Sequence, residues 1–460
     1  MFKKIVVFFM VAITLFSMSA CKKSEPPVYT SDRVYTIGNW CGVQSTIYEV
    51  DENGKEIAGT KRTLTQEEYI EQYRVLADCG ITVTQPSLIE TGKTNSIKQL
   101  RAAQEVGIKQ VVLDYALTQN LTAYYEEYVE EDKTFEQIVD LVKDYIADYL
   151  EYESLWGFFI KDEPSATRYD EFNFIKRVMD EAAPDHQIYI NLFPVYAQPE
   201  QLGNITYRKY IQQYLQKVDT DYICYDYYPL IENNDGTTSL YESFLYNMDL
   251  INELKDDETE LWTFLQCIEY GSNHRGLSSK ADATFQAYSF LAYGGMGIQW
   301  FTYWYPGATS ENFGMPLIDS MGRTTDAYNY VKATNEEIHF LSDYYFNFDH
   351  KGIMVNNVKG GEGNFGYVEE MAITSKTLTK MQSSEDLLVG VFEDKDGREG
   401  YMVVNFTDPG KNLKNEVTLT INGYKNAIIV KEGKQTLASI KGGKLTFEMQ
   451  SGHGYFVIPY

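Results

Sequence analysis

An apolar run, Leu155-Trp-Gly-Phe-Phe-Ile-Lys-Asp-Glu-Pro164, stops at two acids and a proline. A buried parallel strand that ends this way delivers a carboxyl group to the rim of a barrel, where barrel enzymes collect their catalytic groups. Glu163 is therefore the first candidate for a proton donor. Trp156, Phe158 and Phe159 precede it and Asp162 adjoins it. An apolar surrounding and a nearby negative charge both raise a carboxyl pKa, as a general acid requires. Cleaving a glycosidic bond needs such an acid and a second carboxylate, acting as nucleophile or as a base toward water. Asp-Glu-Pro can also begin a helix, but its place after a hydrophobic strand favours chemistry.

Other chemistry-bearing residues fall at comparable places. Val112-Leu-Asp-Tyr115 and Tyr225-Asp-Tyr-Tyr-Pro229 put Asp114 and Asp226 where a base or a sugar-binding acid would stand. Asp226 holding a water against Glu163 would make the reaction inverting, and the carboxyl separation distinguishes this from retention. Trp40, Tyr115, Tyr228, Trp304 and Tyr305 lie at or just past strand ends, where a ring face can stack on a sugar. Asn39, Gln85 and Asn191 offer neutral hydrogen bonds. Neither a Ser-His-Asp pattern nor His-Glu-x-x-His is present, and the five His are scattered, so neither a catalytic metal nor another cofactor is expected.

These residues need a scaffold. Eight short apolar runs alternate with helical patterns: Val34–Asn39, Ile81–Gln85, Gln110–Leu113, Leu155–Ile160, Gln187–Asn191, Asp221–Tyr225, Leu261–Gln266 and Gly297–Thr302. Helices are expected over Thr65–Cys79, Ile97–Val106, Thr134–Tyr152, Tyr169–Ala182, Tyr207–Val218 and Asp282–Tyr293. Thr65-Gln-Glu-Glu68 has the form of a capping box. Eightfold strand–helix alternation predicts an α/β fold, a (β/α)8 TIM barrel, over residues 31–345. Right-handed crossovers bring every strand's C-terminal end to one face. Gly38-Asn-Trp-Cys-Gly42 lacks the glycine pattern of a nucleotide-binding first turn. From residue 346 to 460 six short strands between turns predict a C-terminal antiparallel β-sandwich. Lys359-Gly-Gly-Glu-Gly-Asn-Phe-Gly366 reads as a surface loop without the Lys-Ser/Thr pair of a P-loop.

Within this frame the chain resembles the clan A (β/α)8 glycoside hydrolases, β-galactosidase-like enzymes among them. Their strand four ends in Asn-Glu-Pro or a similar motif whose Glu is the acid/base; here the motif reads Asp162-Glu-Pro164. The resemblance implies that Asp162 stands where an Asn contacts the sugar 2-hydroxyl, and an ionised Asp can only accept there. It also implies a nucleophile at the end of strand seven. Leu261-Trp-Thr-Phe-Leu-Gln-Cys-Ile-Glu-Tyr270 has Gln266 at that place and Glu269 three residues on. Glu269 becomes the expected nucleophile of a retaining mechanism, and Gln266 a substrate hydrogen-bonding group. A surface glycan-binding lipoprotein on a barrel lacking its second carboxylate is the alternative that Gln266 keeps open. A structural or adhesion lipoprotein would have no aromatic-lined cleft.

The chain has 460 residues, enough for a barrel and a smaller partner domain. Its formal charge is −26, from 66 acidic and 40 basic residues. That excludes the basic footprint of a nucleic-acid binder and suits a neutral oligosaccharide or polysaccharide. Lys3 and Lys4, the apolar Ile5–Phe16 stretch and Met18-Ser-Ala-Cys21 resemble a bacterial lipoprotein signal. Residues 1–20 are then a signal peptide, Cys21 the lipidated residue and residues 21–30 a tether. The expected location is outside the cytoplasm, on a bacterial cell membrane or outer membrane, held only by the N-terminal lipid. Cys41, Cys79, Cys224 and Cys267 have no C-x-x-C spacing.

Overall fold

The computed structural model describes residues 25–306, 312–359, 365 and 373–460. Cys21 and the signal segment lie outside them, as does most of the glycine-rich loop from Lys359 to Gly366. Eight parallel strands form one sheet: β1 (Thr36–Asn39), β2 (Val83–Thr84), β3 (Lys109–Val112), β4 (Leu155–Asp162), β5 (Gln187–Leu192), β6 (Tyr222–Asp226), β7 (Glu260–Gln266) and β8 (Gly297–Phe301). Their order is β1-β8-β7-β6-β5-β4-β3-β2. The two ends meet where the Thr82 N–H donates to the Ile37 carbonyl at 2.8 Å, so the sheet closes as a TIM barrel.

Period-two alternation sorts each strand's side chains between two cores. Phe158, Ile188, Ile190, Tyr225 and Ile298 face the helices. Phe159, Tyr189, Cys224, Trp262 and Phe264 fill the barrel interior with Trp40 and Trp156. Two glutamines inside the barrel are bonded to one another. Gln85 Nε2 donates to Gln299 Oε1 at 2.9 Å, and Gln299 Nε2 donates to the Tyr189 hydroxyl at 2.8 Å. Gly157 is required at β4, because a Cβ there would stand 2.0 Å from the Gln187 carbonyl oxygen.

The surrounding helices include α1 (Gln66–Asp78), α2 (Lys93–Val106), α3 (Tyr115–Val129), α4 (Phe135–Ile146), α5 (Tyr169–Ala182), α6 (Tyr207–Lys217), α7 (Phe244–Leu254), α8 (Lys280–Ala292) and α9 (Asp326–Tyr345). The expected capping box at Thr65 and Glu68 is present. Helices α3, α7 and α9 and the hairpin Thr46–Val50/Glu56–Thr63 go beyond the sequence expectation. Helix α3 buries only Leu117 and Leu121, and that hairpin's second strand is almost entirely exposed. Neither carries a strong hydrophobic period.

Beyond α9 the chain forms a β-sandwich. A six-stranded sheet runs Phe348–Asn356, Leu387–Asp394, Glu399–Asn405, Gly454–Pro459, Asn426–Lys431, Lys434–Ser439. A three-stranded sheet runs Leu378–Gln382, Lys414–Ile421, Lys444–Gln450. Val389, Val391, Tyr401 and Val403 point between the sheets. Leu388, Phe392, Met402 and Val404 join the core shared with the barrel helices. The contact is close: a Cβ on Gly390 would stand 2.2 Å from the Ala292 carbonyl oxygen. Among the described residues nine strands occur where six were expected, because Lys434–Ser439 and Leu378–Gln382 are largely exposed and read as loops, while Phe348–Asn356 follows α9 almost directly.

Cys41, Cys79, Cys224 and Cys267 are free, buried thiols. Among the described residues, no helix is long and apolar enough to cross a membrane.

Candidate active site

The C-terminal ends of β4, β5 and β6 converge on a cavity of about 570 Å3, the size of a small-ligand pocket. Asp162, Glu163, Asn191 and Asp226 line it together. The reason is register: Asp162 pairs with Asn191 across β4 and β5, and Asn191 pairs with Cys224, two residues before Asp226, across β5 and β6. A bulge between Phe159 and Lys161 shifts the end of β4 and brings Asp162 toward the interior. Asn191 Nδ2 donates to Asp162 Oδ1 at 3.1 Å and to Asp226 Oδ1 at 3.2 Å.

Glu163 follows with φ of 46°, and its N–H donates to the Asn191 carbonyl at 2.8 Å. Cys41, also on the pocket wall, has φ of 55°. Left-handed backbone at a non-glycine residue costs roughly 1 kcal/mol or more and clusters at functional sites. The Asn191 carbonyl fixes Glu163 in it.

The carboxyl groups are electrostatically linked. Burial, then the charges of Glu163 and Asp162, hold the Asp226 carboxyl well above its ordinary range, with Asn191 opposing the rise. Burial pushes Asp162 up to about 6, against the lowering effects of Asn191 and Lys161. Three acids sharing one cavity cannot all ionise freely.

Aromatic rings complete the walls. Tyr228, Tyr270, Phe301 and Phe313 pack in mutual contact, with Tyr228 and Phe301 centroids 4.9 Å apart. On the other side Trp40 stands edge-on to Phe264 at 5.6 Å. His274 stacks on Tyr270 at 4.2 Å, and burial lowers its pKa to about 4, leaving it neutral at neutral pH. None of the described lining residues is Lys or Arg.

Of the residues singled out by sequence, Glu163, Asp162, Asp226, Asn191, Trp40 and Tyr228 meet in this cavity. The rest stand elsewhere. Glu269 is exposed and lines a different cavity with Glu232, Arg275 and Ser278. Its carbonyl accepts from the Gly314 N–H at 2.8 Å, while its side chain is absent from the lining of Glu163's pocket. Gln266 is fully buried, and its amide is spent on backbone: Oε1 accepts from Leu230 N, and Nε2 donates to the Leu230 and Arg275 carbonyls. Asp114 caps α3 through Ala116 N, and its other oxygen accepts from the Tyr145 and Tyr149 hydroxyls at 2.8 and 2.7 Å. Trp304 and Asn39 are buried outside the cavity, as is Gln85.

Tyr196, Tyr270, His274, Phe301 and Phe313 were not picked out by sequence. Phe301 is the last residue of β8, so strand-end position would have flagged it. Tyr270, His274 and Phe313 come from loops, whose direction no periodicity reveals. Among the described residues, no group of three His, Cys, Asp or Glu is placed to hold a metal ion.

Comparison with known proteins adds the fold class. No family model and no curated protein matches the chain. Solved structures do. One described as a glycoside hydrolase has a TM-score of 0.50 at 13% identity, covering 92% of this chain and 97% of that one. An Anoxybacillus alpha-amylase from a new glycosyl hydrolase subclass has a TM-score of 0.51 at 12% identity, covering 92% and 98%. A glycoside hydrolase family 5 protein from Bacteroides vulgatus ATCC 8482 has a TM-score of 0.51 at 11% identity, covering 90% and 93%. At these identities the likeness is one of fold: a TIM barrel with a trailing β-domain.

Proposed function

We propose that the protein hydrolyses O-glycosidic bonds of a neutral glycan, with Glu163 as proton donor and Asp226 as the second carboxylate. The observation that carries this reading is the convergence of Glu163 and Asp226 in one aromatic-lined pocket. An acid and a second carboxylate are the minimum equipment for this reaction. The aromatic walls suit sugar C–H faces. The lack of Lys or Arg among the described lining residues, with His274 neutral, suits an uncharged ring.

The reaction needs the proton on Glu163, facing the leaving oxygen, and Asp226 ionised; Asn191 Nδ2, which donates to Asp226 Oδ1, favours that ionised form against the rise that burial imposes. We assign a single displacement with inversion at the anomeric carbon: Glu163 protonates the leaving group as Asp226 deprotonates the attacking water. A retaining route through Glu269 would need that side chain to leave the cavity it lines.

The test is a screen of aryl glycosides and oligosaccharides with Glu163→Gln and Asp226→Asn. Both variants should lose at least about a thousandfold in kcat, and proton NMR of the first product should show the inverted anomer. Azide rescue of Asp226→Asn with a retained product in the wild type would make Asp226 a nucleophile. Glycan affinity without any turnover would favour the non-catalytic binding protein instead. We also propose that Cys21 carries lipid and anchors the exported protein to a membrane surface. Metabolic palmitate labelling that persists in Cys21→Ser would exclude this.

A further inference from the structure

A second cavity of about 550 Å3 adjoins the first and shares Trp40, Leu88 and Asp162 with it. It lies between α3 and α5 at the top of the barrel. Resting on the glycosidase reading, we infer that this cavity is a further sugar-binding section of one continuous cleft. The substrate is then a glycan chain engaged over several units, not a lone terminal residue.

Four observations carry this. First, the two cavities border the same residues, Trp40, Leu88 and Asp162, so groups bound in the two would lie side by side. Second, the α3 side presents Tyr115, Thr118, Gln119 and Thr122 to the cavity, a spacing that puts them along one helix face. The Thr118 and Thr122 hydroxyls donate to the Tyr115 carbonyl and to Glu171, which leaves the Tyr115 ring for a sugar's apolar face and Gln119 for its hydroxyls, with Lys161 and Arg168 as the charged groups of the lining. Third, Tyr115 is 52% exposed, a large ring left uncovered at the mouth. Its backbone is held by the Asp114 cap, itself anchored by Tyr145 and Tyr149. Asp114 is thereby a positioning residue for this platform. Fourth, the walls are cross-braced: Arg168 donates twice to Glu171, and Glu171 Oε1 accepts from the Thr122 hydroxyl at 2.8 Å. A braced, preformed surface costs little ordering on binding.

The experiment measures kcat/KM along a length series of the cleaved oligosaccharide, for wild type, Tyr115→Ala and Gln119→Trp. Tyr115→Ala removes the platform; Gln119→Trp fills the cavity from an exposed helix position. In the wild type kcat/KM should climb with chain length until both cavities are occupied. In each variant the ratio of long-chain to shortest-substrate kcat/KM should fall about tenfold, the loss expected of one aromatic stack. A flat wild-type length series, or unchanged ratios in both variants, overturns the inference. If no glycan is turned over at all, the glycosidase reading fails separately. Calorimetric affinity over the same length series then decides the subsite: it must grow with length and fall in Tyr115→Ala, and a length-independent affinity ends the proposal.

Discussion

Asn191 donates one hydrogen bond to Asp162 and one to Asp226, at 3.1 and 3.2 Å. One amide nitrogen thus serves two carboxyl groups from neighbouring strands, the most its two hydrogens allow. Both bonds favour the ionised acids and oppose the rise that burial imposes. Asn191→Leu should therefore move the acidic limb of the pH–rate profile to higher pH, by about one unit, and lower kcat by about tenfold to a hundredfold. A profile that keeps its position while kcat falls would make Asn191 a packing residue only.

Glu269 stands apart from this cluster, exposed and lining another cavity. Glu269→Gln should leave kcat within about twofold of wild type, measured on the best substrate of the screen. A loss comparable to that of Asp226→Asn would return the second carboxylate to Glu269.

The contrast between Asp226 and Glu269 marks how far the sequence could be read. The eight barrel strands announce themselves because a strand buried on both faces is a short apolar run, and strand ends fix the floor of the site. Glu163, Asp162, Asn191 and Asp226 were legible for that reason. Asp114 is also at a strand end, yet Tyr145 and Tyr149, some thirty residues on, claim its free oxygen. Gln266 was legible as a site residue by analogy, but its hydrogen bonds go to Leu230, 36 residues back, and to Arg275 in the following loop. Partners brought in by a neighbouring helix or by loops override strand-end logic, and no pattern in a single chain reveals them. The same holds for Tyr270 and His274.

Gln266 gives a sharp check of that account. Restoring an acid at the strand-seven position with Gln266→Glu should not create or improve catalysis. Glutamate cannot donate to the Leu230 and Arg275 carbonyls while ionised, and it would place a buried charge against them. The expected result is destabilisation by about 3–5 kcal/mol, read by chemical denaturation. A stable variant with higher turnover would contradict the structural role assigned to this amide.

The site loop also depends on the sandwich. Arg275 is buried, donates to Asp282 Oδ1 at 2.7 Å and lies 3.5 Å from Asp408 Oδ1. Asp408, on the sandwich side, also accepts from the Thr238 hydroxyl and caps Gly410. Asp408→Ala should cost about 1–3 kcal/mol of stability. Because Arg275 adjoins His274, it should also raise KM more than it lowers kcat. Equal effects on both kinetic constants would place the disturbance elsewhere.

Asp162 makes a prediction about pH and stability. Its folded-state carboxyl titrates at about 6, above the ordinary 3.8. Between those values the native state holds a proton that the unfolded chain has released. Its contribution is therefore fully favourable at low pH and is lost as pH rises through about 6. Asp162→Asn cannot titrate. Relative to the wild type, it should gain stability from about pH 4 to about pH 6 and then hold a constant advantage. The gain should be about 1–3 kcal/mol, measured by urea unfolding at matched ionic strength. The same variant should lose turnover, because the stability given up by holding this acid in a crowded pocket is what keeps a negative group beside the sugar. A variant whose stability tracks the wild type across that pH range would show that Asp162 is less confined than its neighbours imply.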